Sequence, residues 1–386
     1  MATRVFLHIG LPKTATTYLQ TIMWANREVL EAQQVRLPGA GRHEHLWSSR
    51  IVRADPAFEK ANERRRGAWE RLREDVAAWP GTALISHEFF AAASAEQAAR
   101  MVADLAPAEV HLVVTGREPL GLFTASWQES IKNRDTTLMS DYSRTESPES
   151  TAIWNWRTLD IRRVLERWSP SFPVERVHVL PLPGRDAPRR EIWDRFATLI
   201  GVDPDSVDLT KSFRNASMGV AEAETLRRIN HHLGEFNSAI DRGTYIRTYL
   251  ADERLVPRGG DPFWPDAKRI EEIRERGRSA VEYIAGRGFD VIGDVDALLV
   301  PDELPERRLP ETVTEGEVAM VAVELVARML HDVRALRQER RELRRALAES
   351  KSREDPGLRA SLSQRFPVLR RVLLRGEHAP PGRARS

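Results

Sequence analysis

The sequence predicts an α/β chain, a parallel sheet flanked by helices with a helical C-terminal extension. Four short, mostly apolar runs, at 5–9, 83–86, 110–114 and 177–180, each end at a breaker or a polar cluster, as buried strands do. Stretches of helical periodicity, such as 63–79 and 96–105, lie between them. Strand and helix in alternation make a parallel sheet with helices on both faces. After about residue 200 the pattern turns mostly helical, which predicts the extension.

The first strand, 5–9, runs into Gly10-Leu11-Pro12, and Lys13-Thr14-Ala15-Thr16-Thr17-Tyr18 then opens a helix. A strand, a tight loop and a helix N-terminus form an anion cradle. The first-turn N–H groups lack partners, and the helix dipole is positive at that end. Lys13 adds a full charge, and Thr14, Thr16 and Thr17 add hydroxyls. The common nucleotide loop needs a second Gly directly before its Lys, and here that position is Pro12. The next two strands end in Ser86-His87-Glu88 and Thr115-Gly116-Arg117. In parallel sheets ligands bind beyond the C-terminal strand ends, so Lys13, His87, Glu88 and Arg117 are expected at one shared edge. Further on, 221–236 and 266–284 are amphipathic and are separated by a Gly/Pro-rich loop at 257–262. From 315 to 350 the helix signal is long. Met329, Val333, Leu336, Leu343 and Leu347 recur at three- and four-residue steps, interrupted by Arg340. A docked terminal helix and a homodimer through a short coiled coil both fit that seam.

Length and composition set the bounds. With 386 residues, 41% hydrophobic and 30% charged, the chain can bury a large core as one big domain or two. No apolar run approaches a membrane span, and a first strand starting near Arg4 leads to no expected leader. With no cysteine there is no disulfide, thiolate metal site or cysteine nucleophile, and a cytoplasmic location is expected. The formal charge of +2 does not point to nucleic acid. Residues 351–386 carry nine Lys/Arg against three Asp/Glu, with four Pro and three Gly, a basic solvated tail. The expected organisation is an α/β domain over 1–300, a terminal helix over 301–350 and that tail.

Pro12-Lys13-Thr14-Ala15-Thr16-Thr17 resembles the 5′-phosphosulfate loop of sulfotransferases, which use 3′-phosphoadenosine 5′-phosphosulfate (PAPS) as donor. The resemblance spans roughly 1–219. It implies a P-loop-like fold and a transfer from PAPS to a hydroxyl or amine on a small-molecule or carbohydrate acceptor, with no metal required. It implies that Lys13 neutralises the 5′-phosphosulfate and that Thr16 and Thr17 bind the 5′-phosphate. Tyr18 would pack on adenine, and Arg117 would hold the 3′-phosphate. The family's serine falls eight residues after that Arg, at Ala125; Ser126, one beyond, is taken as the ligand, with Thr124 in reserve and Lys132 and Arg134 adding charge. The catalytic base is expected to be Glu88, with His87 as the alternative, since strand neighbours point to opposite sides. A late basic loop closing on the nucleotide would use Arg214, then Lys211. Acceptor walls are expected from 41–47 and 151–157, rich in Trp and Arg, while His43 and His45 lack a third metal ligand. Two rival readings are a nucleotide-dependent kinase, disfavoured by the missing loop Gly, and a non-catalytic nucleotide-binding scaffold.

Overall fold

In a computed structural model describing residues 2–184, 187–210 and 217–352, one six-stranded sheet organises the chain. The strands are β1 (Arg4–His8), β2 (Val35–Arg36), β3 (Thr82–Ser86), β4 (Glu109–Gly116), β5 (Val177–Pro181) and β6 (Asp290–Val291), in the order β2-β3-β1-β4-β5-β6. All pair in parallel, with Leu7 of β1 opposite Ile85 of β3 on one side and Leu112 of β4 on the other. β1 and β3 are buried from their second residue on, which is why they read as continuous apolar runs. Against one face, Phe6, Leu84, Val113 and Leu180 pack with Tyr18, Ile22 and Met23 of the helix Thr16–Ala25 and with Trp193 and Phe196 of the helix Glu191–Ile200.

The chain leaves β1 toward β3 and β2, then crosses to β4 and continues outward to β5. Strand order therefore reverses between β1 and β4, and the loops after those two strands flank the crevice that opens there.

The four expected strands are present, joined by two edge strands of two residues each that are too short for a periodic signal. The single helix expected over 63–79 is two, Glu63–Arg66 and Ala68–Ala78, parted at Gly67, the poorest helix former after proline. The helix expected over 96–105 spans Ala95–Asp104, opened by a capping box between Ser94 and Gln97. The helix expected over 221–236 is Val220–Asn230. It stops where the Asn230 side chain turns to donate to the Ile131 and Asp135 carbonyls, at 2.7 and 2.8 Å. Beyond it lies a π-helix, Arg242–Leu255, that no periodicity announced. Ala267–Arg287 and Glu315–Ser352 are the remaining long helices. The described chain has no helix long and apolar enough to cross a membrane. It divides into two compact units, Met1–Ala319, which holds the sheet, and Met320–Ser386, whose described part is the rest of the long helix. The basic tail lies outside the described residues.

Gly10 has φ +40°, and a Cβ there would sit 2.4 Å from Thr16 Cγ2 and 3.1 Å from Thr115 Oγ1. Gly10→Ala is expected to destabilise by about 1–3 kcal/mol. Gly286, exposed inside Ala267–Arg287 with open space around it, is the opposite case. Gly286→Ala should stabilise by about 0.5–1 kcal/mol. Urea midpoints of the two variants against the parent check both signs.

Candidate active site

The turn after β1 is built from backbone that side chains ordinarily avoid. Gly10, Lys13 and Ala15 all have positive φ, at 40°, 68° and 62°, and the last two have no glycine's licence for it. Left-handed non-glycine residues cost about 1–2 kcal/mol each, so something must hold them. Thr14 does. Its hydroxyl is buried, donates to the Leu11 carbonyl at 2.6 Å, accepts from the Leu11 N–H at 3.1 Å and meets Thr115 Oγ1 at 2.7 Å. Alternating hand along the loop turns successive N–H groups to one side, as in an anion-binding nest. The helix Thr16–Ala25 then starts at Ala15 with no side-chain cap and no acid in its first turn, so its positive end is left for a ligand.

That end opens into a cavity of about 230 Å³. Lys13, Ala15, Thr16 and Thr17 line it from the loop, Glu88 and Phe89 from beyond β3, and Arg117 from beyond β4. Ala125, Gln128, Glu129 and Lys132 line it from the helix Pro119–Lys132, joined by Trp154, Ser217 and Arg247. A second cavity of about 300 Å³ shares Arg117, Ala125, Gln128 and Ser217 with it and continues toward Phe263, Trp264 and Arg307. A larger hollow of about 850 Å³, lined from the helices Ile161–Trp168 and Ala267–Arg287, holds no strand-end residue. Arg276 and Arg269 there pair with Asp160 and Glu272, at 2.7 and 2.9 Å. The strand-end cavities are therefore the better place for chemistry.

Charge in the first cavity is organised by Glu129. Its carboxylate is almost wholly buried, sits 3.1 Å from Lys13 Nζ and pairs also with Arg247. Burial alone would raise its pKa, but Lys13, Arg247 and Lys132 together outweigh it and hold the pKa below the usual value. Lys132 in turn pairs with Asp252 of the π-helix at 2.6 Å. Glu118 caps the helix Pro119–Lys132 through the Gly121 N–H, and Arg117 lies so close over that turn that a Cβ on Gly121 would sit 2.6 Å from its Nη2.

Behind the site runs a chain of buried hydrogen bonds whose donors can be assigned. Thr14 spends its only proton on Leu11, so Thr115 must donate to Thr14. Thr115 then accepts from His8 Nε2 at 3.3 Å, which leaves His8 Nδ1 to accept from the Ser86 hydroxyl at 2.8 Å. Gln20 Nε2 donates to Ser86 Oγ at 3.3 Å and to Glu88 Oε2 at 3.2 Å. The neutral Nε2–H tautomer of His8 is thus set by its neighbours. His45 pins the same strand end: its Nδ1 accepts from the Ser86 N–H at 3.1 Å and its Nε2 donates to the Pro38 carbonyl at 2.8 Å. With both nitrogens engaged in protein hydrogen bonds, His45 has no lone pair for a metal.

Other sequence-based assignments fall as follows. Glu88 faces the cavity. His87 does not line it: His87 Nδ1 accepts from the Phe89 N–H at 3.1 Å and caps the 3₁₀ turn Glu88–Ala92, and burial lowers its pKa. Ser126 is corrected. Its hydroxyl is buried against Tyr142 Oη at 2.6 Å, and Ala125 lines the cavity instead, because one residue along a helix rotates the side chain by about 100°. Thr124 donates to the Leu120 carbonyl at 2.9 Å. Tyr18 is corrected as well, being packed in the core with the Arg189 guanidinium 4.7 Å from its ring centre. The hydroxyl of Thr14 is committed within the loop, and Pro12 is buried. In 151–157, Trp154 reaches the cavity, while Trp156 is core and Arg157 binds the Ala92 and Pro148 carbonyls. Arg214 and Lys211 lie outside the described residues. Sequence reasoning missed Gln20, Gln128, Glu129 and Arg247; the need of half-buried Lys13 for a counterion was the one available signal.

No known protein family matches the chain, and no curated protein does. Among solved structures it is similar to the "Sulfotransferase Domain from the Curacin Biosynthetic Pathway", with TM-score 0.31 and 12% identity over 54% of this chain and 77% of that one. A likeness this loose carries no functional weight.

Burial holds His8 and His45 neutral, with pKa values lowered from 6.5 to about 4. As pH falls below 6.5 the unfolded chain takes up protons that the folded chain refuses. Stability is therefore complete above about pH 6.5 and is lost progressively toward pH 4. Each histidine contributes on the order of 3 kcal/mol to that loss. Urea midpoints between pH 7 and 4.5 should fall, and His45→Gln should flatten the slope.

Proposed function

We propose that this chain is a sulfotransferase, moving a sulfuryl group from PAPS to a hydroxyl or amine on a small-molecule or carbohydrate acceptor. The observation that carries the reading is the convergence of Lys13, Arg117 and Glu88 on one cavity at the point where strand order reverses. Four cationic side chains line that cavity against two carboxylates, a balance that suits a polyanionic ligand. The uncapped helix end and the left-handed loop fit a 5′-phosphosulfate, and Arg117, shared with the adjoining cavity, fits a second phosphate.

PAPS supplies the sulfuryl group and a phosphate leaving group. Glu88, held by Gln20, accepts the proton of the acceptor, whose oxygen or nitrogen forms the new bond to sulfur as the bond from sulfur to the phosphate oxygen breaks. Lys13 turns from Glu129 to the charge growing on that oxygen, so its role is electrostatic. Arg247, on the same carboxylate, offers a second cation. Arg117 fixes the nucleotide end and so distinguishes a 3′-phosphorylated donor from ATP. Phe89 and Trp154, edge to face at 6.2 Å beside Glu88, offer the apolar wall on which a sugar ring could stack.

The test is calorimetric titration with 3′-phosphoadenosine 5′-phosphate beside ATP and ADP without metal. Selective binding of the 3′-phosphorylated nucleotide is expected, weakened about tenfold or more in Arg117→Ala. Lys13→Ala should cut transfer about 10²–10³-fold with the fold intact, and Glu88→Gln should lose transfer but keep nucleotide binding. Near-normal transfer in both Lys13→Ala and Arg117→Ala would overturn the assignment. A Mg²⁺-dependent preference for ATP would favour a kinase, and tight binding without transfer to any of a broad acceptor panel would favour a scaffold.

A further inference from the structure

We propose that the second unit is a dimerisation element, in which the helix over 326–347 pairs with the same helix of a second copy as a parallel two-stranded coiled coil. Placing Val326 at position a of a heptad puts Val326, Val333, Arg340 and Leu347 at a and Met329, Leu336 and Leu343 at d. Val326, Met329, Val333 and Leu336 are exposed on the described chain, at 56, 38, 43 and 62%. A row of large apolar side chains that the described chain leaves in water is unusual, and its seven-residue repeat, interrupted at Arg340, is the geometry that a partner helix covers.

The charges flanking the seam commit it to one occupant and one direction. Asp332 and Glu339 fall at g, Arg337 and Arg344 at e. In a parallel pair each g residue faces the e residue five positions along the other helix. Asp332 then meets Arg337 of the second copy, and Glu339 meets Arg344. In an antiparallel pair g faces g and e faces e, which sets acid against acid and arginine against arginine. The complementarity is to the helix itself, so a second copy of this chain is the fitting partner. Val326 and Val333 at a with Met and Leu at d favour two strands over three, and Arg340, a lone charge at a, fixes register at a cost in affinity.

The chain has no cysteine, so one introduced thiol reports one contact. The full chain is expected to sediment at twice its own mass. Leu336→Asp should leave a monomer with an unchanged circular dichroism spectrum in the near ultraviolet. Asp332→Arg with Glu339→Arg should also leave a monomer, and adding Arg337→Glu with Arg344→Glu should restore the dimer. Leu343→Cys should form a reducible covalent dimer on mild oxidation, because like d positions meet only in the parallel arrangement. A monomer at tens of micromolar, a dimer that survives Leu336→Asp, or a Leu343→Cys chain that stays uncrosslinked would each overturn the proposal.

Discussion

The contact between the Thr14 and Thr115 hydroxyls is the constraint on which the site depends. It ties the turn after β1 to the end of β4, the two strands between which the crevice opens. Together with the two bonds between Thr14 and Leu11, it holds Lys13 and Ala15 in left-handed backbone and keeps the N–H groups of the turn converged. The same contact sets the proton order beneath the site. Because Thr14 donates to Leu11, the direction of every later bond follows, through Thr115, His8 and Ser86. Gln20 then links Ser86 to Glu88, so the loop after β1 and the turn that carries Glu88 rest on one connected network. A network in which every member is satisfied stiffens its surroundings; one with a missing member is costly.

Glu129 is the second organising group, and its role follows from electrostatics. A buried carboxylate is expensive unless paired, and this one draws in Lys13 from the loop and Arg247 from the π-helix. It thereby holds two cations at the edge of the cavity. An anion entering the loop competes with Glu129 for both, and the cost of releasing them lowers affinity for any ligand too weakly charged to replace the pairing. On the proposed reading, the arrangement favours a strongly charged donor.

Much of the fold was legible because buried parallel strands and capped helices leave local marks. The apolar runs ending at His8, Ser86 and Thr115 are strands for the reason their composition suggests, and the residues after them stand at the sheet edge where such residues must. Legibility failed where an angle or a distant segment decides. Ser126 and Ala125 differ by one step on a helix, and only the packing of Tyr142 tells which of them turns inward. Tyr18 is an aromatic on a first helix whether it meets a ligand or the core, and the distant core residues it joins, Trp193 and Phe196 among them, decide. Arg247 comes from a helix type with no periodic signature, far from Lys13 in the chain, so no local pattern could join them.

His87 and Glu88 show how backbone geometry separates two neighbouring candidates that titration alone would not. His87 is the more familiar base near neutral pH, yet its Nδ1 is spent capping the turn that begins at Glu88, and burial disfavours its protonated form. That cap is what ends β3 and starts the 3₁₀ turn, so His87 cannot swing into the cavity without unwinding the segment that carries Glu88. The carboxylate keeps acceptor capacity, since Gln20 occupies one oxygen and leaves lone pairs open to the cavity. The need to close the strand end commits His87 to the cap and leaves Glu88 lining the cavity.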